Sequence, residues 1–194
     1  MSILEVVAVI SSALGIWLMT RRSLVAWPIT LLACFLYAEV FREARLYSDM
    51  LLQFVYAAFC IYGWWHWLKG VREQGEVRVE SFHWKGWLAY GLAGVLGSLS
   101  LGYLMARYTD AALPHIDASL TAFSLVAQWW ATRRYVWNWV LWIVVDVIYT
   151  AVFTYKKLYL TAGLYAVFVF LAVEGLRAWR AALNSQQALE PKPS

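Results

Sequence analysis

Asp146 stands inside NWVLWIVVDVIYT, Asn138 to Thr150, a run that is otherwise aliphatic and aromatic. Residues three or four apart share a face of a helix, so Trp139, Trp142, Asp146 and Tyr149 predict one stripe in which aromatic planes flank an acid. Indole and phenol faces stack on flat rings and attract cations, worth roughly 0.5 to 2 kcal/mol each depending on desolvation. A carboxylate and neighbouring amides add hydrogen bonds to ring substituents and sugar hydroxyls. Such a set suits a flat, aromatic and even cationic solute. It is a binding set and not a reacting one. The sequence has no phosphate-binding glycine loop, no metal-ligand spacing and no nucleophile-base arrangement, so neither catalysis nor a cofactor or metal is expected.

Other polar side chains fall in apolar surroundings. Gln53, Tyr56, Cys60 and Trp64 share one helical face, Thr121, Ser124 and Gln128 share another, and Asn138 opens the Asp146 segment. Hydrogen bonding between helices accounts for each of them alone; their convergence with the stripe makes them candidate substrate contacts. In IYGWWHWLKG, Ile61 to Gly70, Trp64 continues the Gln53 face toward the interior, whereas the other tryptophans and His66 read as a membrane-interface belt. Glu39 and Glu174 lie near segment ends, where water reaches them. Cys34 and Cys60 both sit inside apolar runs, which suggests neither a disulfide framework nor a metal cluster.

The elements that must position these groups follow from composition. Hydrophobic residues make up 62% of the 194 and charged ones 14%, a balance far from that of a water-soluble domain. A bilayer core of about 30 Å takes about 20 apolar residues per helix, and seven spans are expected at roughly 3–20, 24–42, 49–68, 84–107, 117–133, 135–155 and 159–178. The first lacks a signal peptide's basic start and cleavage site and is read as a retained helix. Lys69 to His83 reads as a solvated connector and NSQQALEPKPS as a disordered tail. Arg21, Arg22, Lys69, Arg72, Arg78, Lys85, Arg133, Arg134, Arg177, Arg180 and Lys192 fall on one side, against Arg42, Arg45, Arg107, Lys156 and Lys157 on the other. The positive-inside rule then gives an outside N-terminus and a cytoplasmic C-terminus. The same bias explains the net charge of +4 without a nucleic-acid partner.

Shifting the chain against itself by 112 residues pairs Trp17 with Trp129, Arg21-Arg22 with Arg133-Arg134, Trp27 with Trp139, Tyr37 with Tyr149, Gly63 with Gly175 and Trp67 with Trp179. One register that aligns Trp, Tyr, Gly and double Arg together points to an internal duplication. Residues 1–68 form the first three-helix unit, 69–116 a connector and linker helix, 117–180 the second unit and 181–194 a polar tail. A single linker helix makes the repeats parallel, giving an all-α, 3+1+3, SWEET-like architecture. In the linker, Gly91, Gly94, Gly97, Ser98 and Gly102 offer small faces for close packing. In this register Cys34 occupies the place of Asp146, so the twofold is broken at its centre.

LYSDMLLQFVYAAFCIYGWWHW, Leu46 to Trp67, and ATRRYVWNWVLWIVVDVIYTAVFTYKKLYLTAGLY, Ala131 to Tyr165, resemble the Pnu family of bacterial vitamin transporters over nearly the whole chain. NWVLW is similar to that family's NWxxW pattern, placing Asn138, Trp139 and Trp142, and LLQ followed by IYGW places Gln53 and Trp64. Cys60 stands where members carrying nicotinamide riboside often have Asn, and Trp137 where they often have Glu. The resemblance implies a facilitator of the bacterial inner membrane for an unphosphorylated vitamin: nicotinamide riboside, or alternatively thiamine or riboflavin. It further implies a homotrimer, and a cytoplasmic vitamin kinase that traps the cargo. A SWEET-like sugar transporter shares the repeat, and a non-transporting sensor remains a third class, which the short connector with no docking motif disfavours.

Overall fold

The computed structural model describes residues 3–43, 47–82, 84–108 and 113–189. Seven helices run in order: α1 (Ile3–Thr20), α2 (Ala26–Glu43), α3 (Tyr47–Gln74), α4 (Trp84–Tyr108), α5 (Pro114–Thr132), α6 (Asn138–Tyr155) and α7 (Tyr159–Leu189). Four of them, α1, α4, α6 and α7, are long and apolar enough by themselves to cross a membrane. The other three are of similar or greater length but more polar. α2 ends in Glu39, Arg42 and Glu43, α3 runs on through Lys69, Arg72 and Glu73, and α5 carries Asp117 and Gln128.

Local chemistry sets the ends. Pro114 at the first turn of α5 has the fixed φ a helix start accepts. α1 closes with Arg22 at φ 57°, with Ser23 N–H donating to Leu18 O at 3.1 Å and Arg22 N–H to Met19 O at 3.0 Å. α5 closes in the same way through Arg134 at φ 62°, Tyr135 N–H to Trp130 O at 2.9 Å and Arg134 N–H to Ala131 O at 3.1 Å. A left-handed residue bonding back into the last turn satisfies the orphan carbonyls there. Glycine usually fills that position, and two arginines 112 residues apart do so here, which gives both helix ends the same backbone form.

Helix contacts run α1 to α2, α2 to α3, α3 to α5, α5 to α6, α6 to α7 and α7 back to α1, and α4 packs outside the ring on α5. Each three-helix unit is therefore consecutive, and two seams, α3 with α5 and α1 with α7, join the units. Among the described residues α2 and α6 make no contact across the ring. On α4, Gly94 lies against Phe123, Gly97 against Ala122 and Gly102 against His115, so three of the expected small residues do pack. Gly91 faces open space, and Ser98 donates to Gly94 O of its own helix at 2.7 Å.

Two expected loops are otherwise. The connector is not a solvated linker: Lys69 to Gln74 continue α3, and Val77 and Val79 are buried in the core cluster that also holds Trp67 and Trp179; His83 is outside the described residues. Two valines and the span-end tryptophans together supply enough apolar surface to hold the segment down. The tail is helical as far as Leu189, with Gln186 buried; Glu190 to Ser194 lie outside the described residues.

Candidate functional site

At the double-arginine end the two units match closely. Trp27 meets Trp67 edge to face, centroids 5.2 Å apart at 88°, and Trp139 meets Trp179 at 5.5 Å and 86°. Each α2 or α6 indole lies on a glycine of the following helix, Trp27 on Gly63 and Trp139 on Gly175, where any Cβ would strike the ring. The bonds between units are exchanged. Trp67 Nε1 donates to Ala131 O at 3.2 Å, and Trp179 Nε1 donates to Met19 O at 3.1 Å, Met19 and Ala131 being themselves related by the repeat. Trp67 and Trp179 then touch each other, 5.7 Å between centroids, so this end of the ring is stoppered by indoles.

A strap lies over the stopper. Glu80 N–H donates to Arg134 O and Val136 N–H to Glu80 O, both at 2.9 Å. Arg134, 6% exposed, reaches Glu80 Oε1 at 2.6 Å, and Arg22 Nη1 donates to Val77 O at 3.3 Å. Both halves thus hold the same connector. A buried guanidinium needs a counter-charge in a water-poor setting, and Glu80 supplies it.

Toward the middle of the ring the match ends. Asp146 is 4% exposed, and its carboxylate accepts no hydrogen bond from the described residues. An acid at such depth is tolerated where it faces protein or a wet cavity. Cys34, its counterpart, is buried beside Cys60 with thiol against thiol, whereas the counterpart of Cys60 is the buried Ala172. The cysteine position is satisfied within its own unit; the acid has an unfilled binding capacity.

Tyr56, Tyr149 and Tyr165 lie within electrostatic reach of that acid. Tyr37 of α2, Tyr56 of α3 and Tyr149 of α6 all lie within electrostatic reach of Tyr165 on α7, as does Asp146. Tyr149 and Tyr165 rings are 4.8 Å apart, and Tyr149 stacks on Phe153 at 5.8 Å. Tyr56 Oη and Ser124 Oγ share a hydrogen bond at 2.5 Å across the α3 and α5 seam, and Ser124 Oγ reaches Thr121 O at 2.8 Å. Thr121 is also beside the Tyr149 hydroxyl. Of the expected contacts, Tyr56, Cys60, Thr121, Ser124, Asp146 and Tyr149 converge here. Gln53 and Gln128 continue the Tyr56 and Ser124 faces about one helical turn away.

Four candidates are placed differently. Trp139 does not flank the acid; it is spent on Gly175 and Trp179. Trp142 is half-buried against the core cluster. Trp64 is 37% exposed, and Trp67, three residues on and expected in the belt, takes the interior instead. Asn138 donates to Tyr135 O at 2.7 Å in the turn before α6, with its Oδ1 buried and unpartnered, about two turns from Asp146. The sequence reading passed over Tyr165, although the repeat register sets it against Gln53, itself a candidate.

No cluster of three metal-ligating side chains occurs among the described residues. The arrangement can stack a planar group between phenol rings and meet a cation or hydroxyls with one carboxylate.

The chain resembles known proteins in both sequence and fold. The chain is 26% identical over 204 residues to the nicotinamide riboside transporter PnuC of Escherichia coli (strain K12), covering 92% of this chain and 85% of that one. It is 32% identical over 124 residues to the protein of the same name from Neisseria mucosa, covering 61% and 47%. A solved structure of the vitamin B3 transporter PnuC matches with a TM-score of 0.77 at 25% identity, over 94% of this chain and 82% of that one. A family model, described as nicotinamide mononucleotide transporter, matches residues 2–181, and the chain therefore belongs to that family of membrane transporters.

Proposed function

We propose that this chain facilitates the passage of nicotinamide riboside across the bacterial inner membrane by alternating access. The observation that carries the cargo is the charge of the cage. Among the described residues Asp146 accepts no side-chain hydrogen bond, and the groups within electrostatic reach of Tyr165 are Tyr37, Tyr56, Tyr149 and Asp146, with neither Lys nor Arg. A cationic pyridinium and three ribose hydroxyls suit that set. The phosphate of a mononucleotide does not, because phosphate sites are built from Arg, Lys or backbone N–H groups. The family description and the relatives' names differ by that phosphate, and the cage favours the uncharged ribose end.

In this reading Tyr149, Tyr165, Tyr56 and Tyr37 bracket the ring while Asp146, Ser124, Gln53 and Gln128 bond the sugar and amide. The N-terminus is outside and the double-arginine end cytoplasmic, so the indole stopper and strap close the inner mouth. The transporter works as a homotrimer, and a cytoplasmic kinase phosphorylates the cargo so that it no longer fits the cage. Uptake of labelled nicotinamide riboside into proteoliposomes tests the proposal. Uptake reduced about 10-fold or more in Asp146→Asn at sub-saturating riboside, with no transport of the mononucleotide, supports it. Equal uptake by the variant, or competition by thiamine, riboflavin or a sugar but not by the riboside, sinks the cargo assignment.

A further inference from the structure

The two seams between the units differ most at the level of Trp17 and Trp129. Across α3 and α5, Tyr62 stacks flat on Trp129 at 5.5 Å and 13°, Phe59 leans on the same indole at 6.2 Å, and His66 stacks on Tyr62 at 5.8 Å. The repeat register converts those three residues to Leu171, Glu174 and Ala178 on α7. Removing the rings leaves a groove of about 620 Å³ between α1 and α7, with Trp17 and Thr20 on one wall and these α7 residues on the other.

The groove has a charged end and an apolar one. Arg21 and Arg22 line it; Arg21 lies over the Trp17 ring at 4.4 Å, Arg22 donates to Val77 O at 3.3 Å, and neither forms an ion pair with a described residue. Glu174 is the one acid in the lining, and Arg177 holds it at 2.6 Å, which leaves an excess of positive charge. Phe170, 62% exposed, continues the groove into the apolar side of the bundle. The last carbonyls of α1 are already bonded, Met19 O by Trp179 Nε1 and Leu18 O by Ser23 N–H, so the helix end presents little free negative charge.

We propose that this groove is a binding site for an anionic phospholipid, its phosphate on Arg21 and Arg22 and its first acyl carbons along Leu171 and Phe170. The lipid takes the volume that Phe59, Tyr62 and His66 occupy on the other side. Basic clefts between membrane helices at the headgroup level are where anionic headgroups bind, and a free soluble anion would make no use of the apolar wall. The site is separate from the tyrosine cage and does not rest on the cargo.

The test uses the whole purified protein in detergent, titrated with phosphatidylglycerol, phosphatidylcholine or inorganic phosphate. Thermal unfolding and native mass spectrometry are the readouts. Phosphatidylglycerol is expected to raise Tm by about 2–4 °C more than phosphatidylcholine and to give a one-lipid adduct. The triple variant Leu171→Phe, Glu174→Tyr, Ala178→His installs the plug that the chain already uses in its other seam, and is expected to lose both effects. Should that variant fail to fold, Arg21→Gln, at an exposed position, is expected to lower the lipid-specific shift by at least about half. Equal shifts with both lipids, a shift reproduced by inorganic phosphate, full retention in Arg21→Gln or in the folded triple variant, or a groove closed by a second copy of the chain instead of lipid would each overturn the proposal.

Discussion

The seam between α3 and α5 and the seam between α1 and α7 correspond in the 112-residue register, yet only the first is filled. There Tyr56 bonds Ser124 and Tyr62 stacks on Trp129; in the second, Phe168 and Ser12 occupy the places of the bonding pair, and an open groove the place of the stack. At the stoppered end, by contrast, both seams carry the same indole-to-carbonyl bond. Symmetry is kept where the indoles close the ring and given up where ligand binding is proposed. An asymmetric solute at a pseudo-axis requires that division.

The sharpest way to break the comparison is to strike the matched end. Gly63→Leu and Gly175→Leu each drive a side chain into an indole, and each is expected to cost roughly 2–3 kcal/mol, by equal amounts when thermal unfolding in detergent is compared. Unequal losses would mean that the two ends are not equivalent.

In the unmatched middle, Asp146→Asn is expected to lower riboside affinity about 10–100-fold, the worth of about 1.5–3 kcal/mol for a hydrogen bond to a charged group, with little change in Tm. Cys34→Ser, at the equivalent place, is expected to stay within about threefold by calorimetry. Comparable losses from both would return the site to twofold symmetry.

Smaller still is the seam bond. A double-mutant cycle on Tyr56→Phe and Ser124→Ala is expected to show about 1 kcal/mol of coupling, while Ser12 and Phe168 show none. Glu174→Gln, which breaks an exposed pair, is expected to shift stability by about 0.5 kcal/mol or less. A larger effect would give Glu174 a structural role in the groove.

Helix number, order and most boundaries were legible in the sequence because bilayer thickness fixes span length and because one register repeats through Trp, Gly and Arg. Asp146 was legible for the same reason: charge is rare in that setting. The direction of each tryptophan was not. Trp64 and Trp67 differ by three residues on a helix whose apolar residues favour no single face, so periodicity cannot say which one finds the interior; Gly63 and Gly175 could have, since a glycine opposite an indole leaves the room that indole fills. The strap was misread because Val77 and Val79 are two apolar residues in a charged stretch, too few to signal burial without knowing that they join the core cluster of Trp67 and Trp179. Tyr165 was missed because its face of α7 carries no charge to mark it.

The exchanged tryptophan bonds also bear on how such a chain came to be. A lone three-helix unit would carry an indole donor with no acceptor of its own and a carbonyl with no donor. A second copy set beside it in the same orientation satisfies both at once, as an isologous pair does. Joining the copies through one helix raises their effective concentration and makes that pairing intramolecular. The reciprocal bonds of Trp67 and Trp179 have the pattern of the contact between two copies in a dimer, carried here within a single polypeptide.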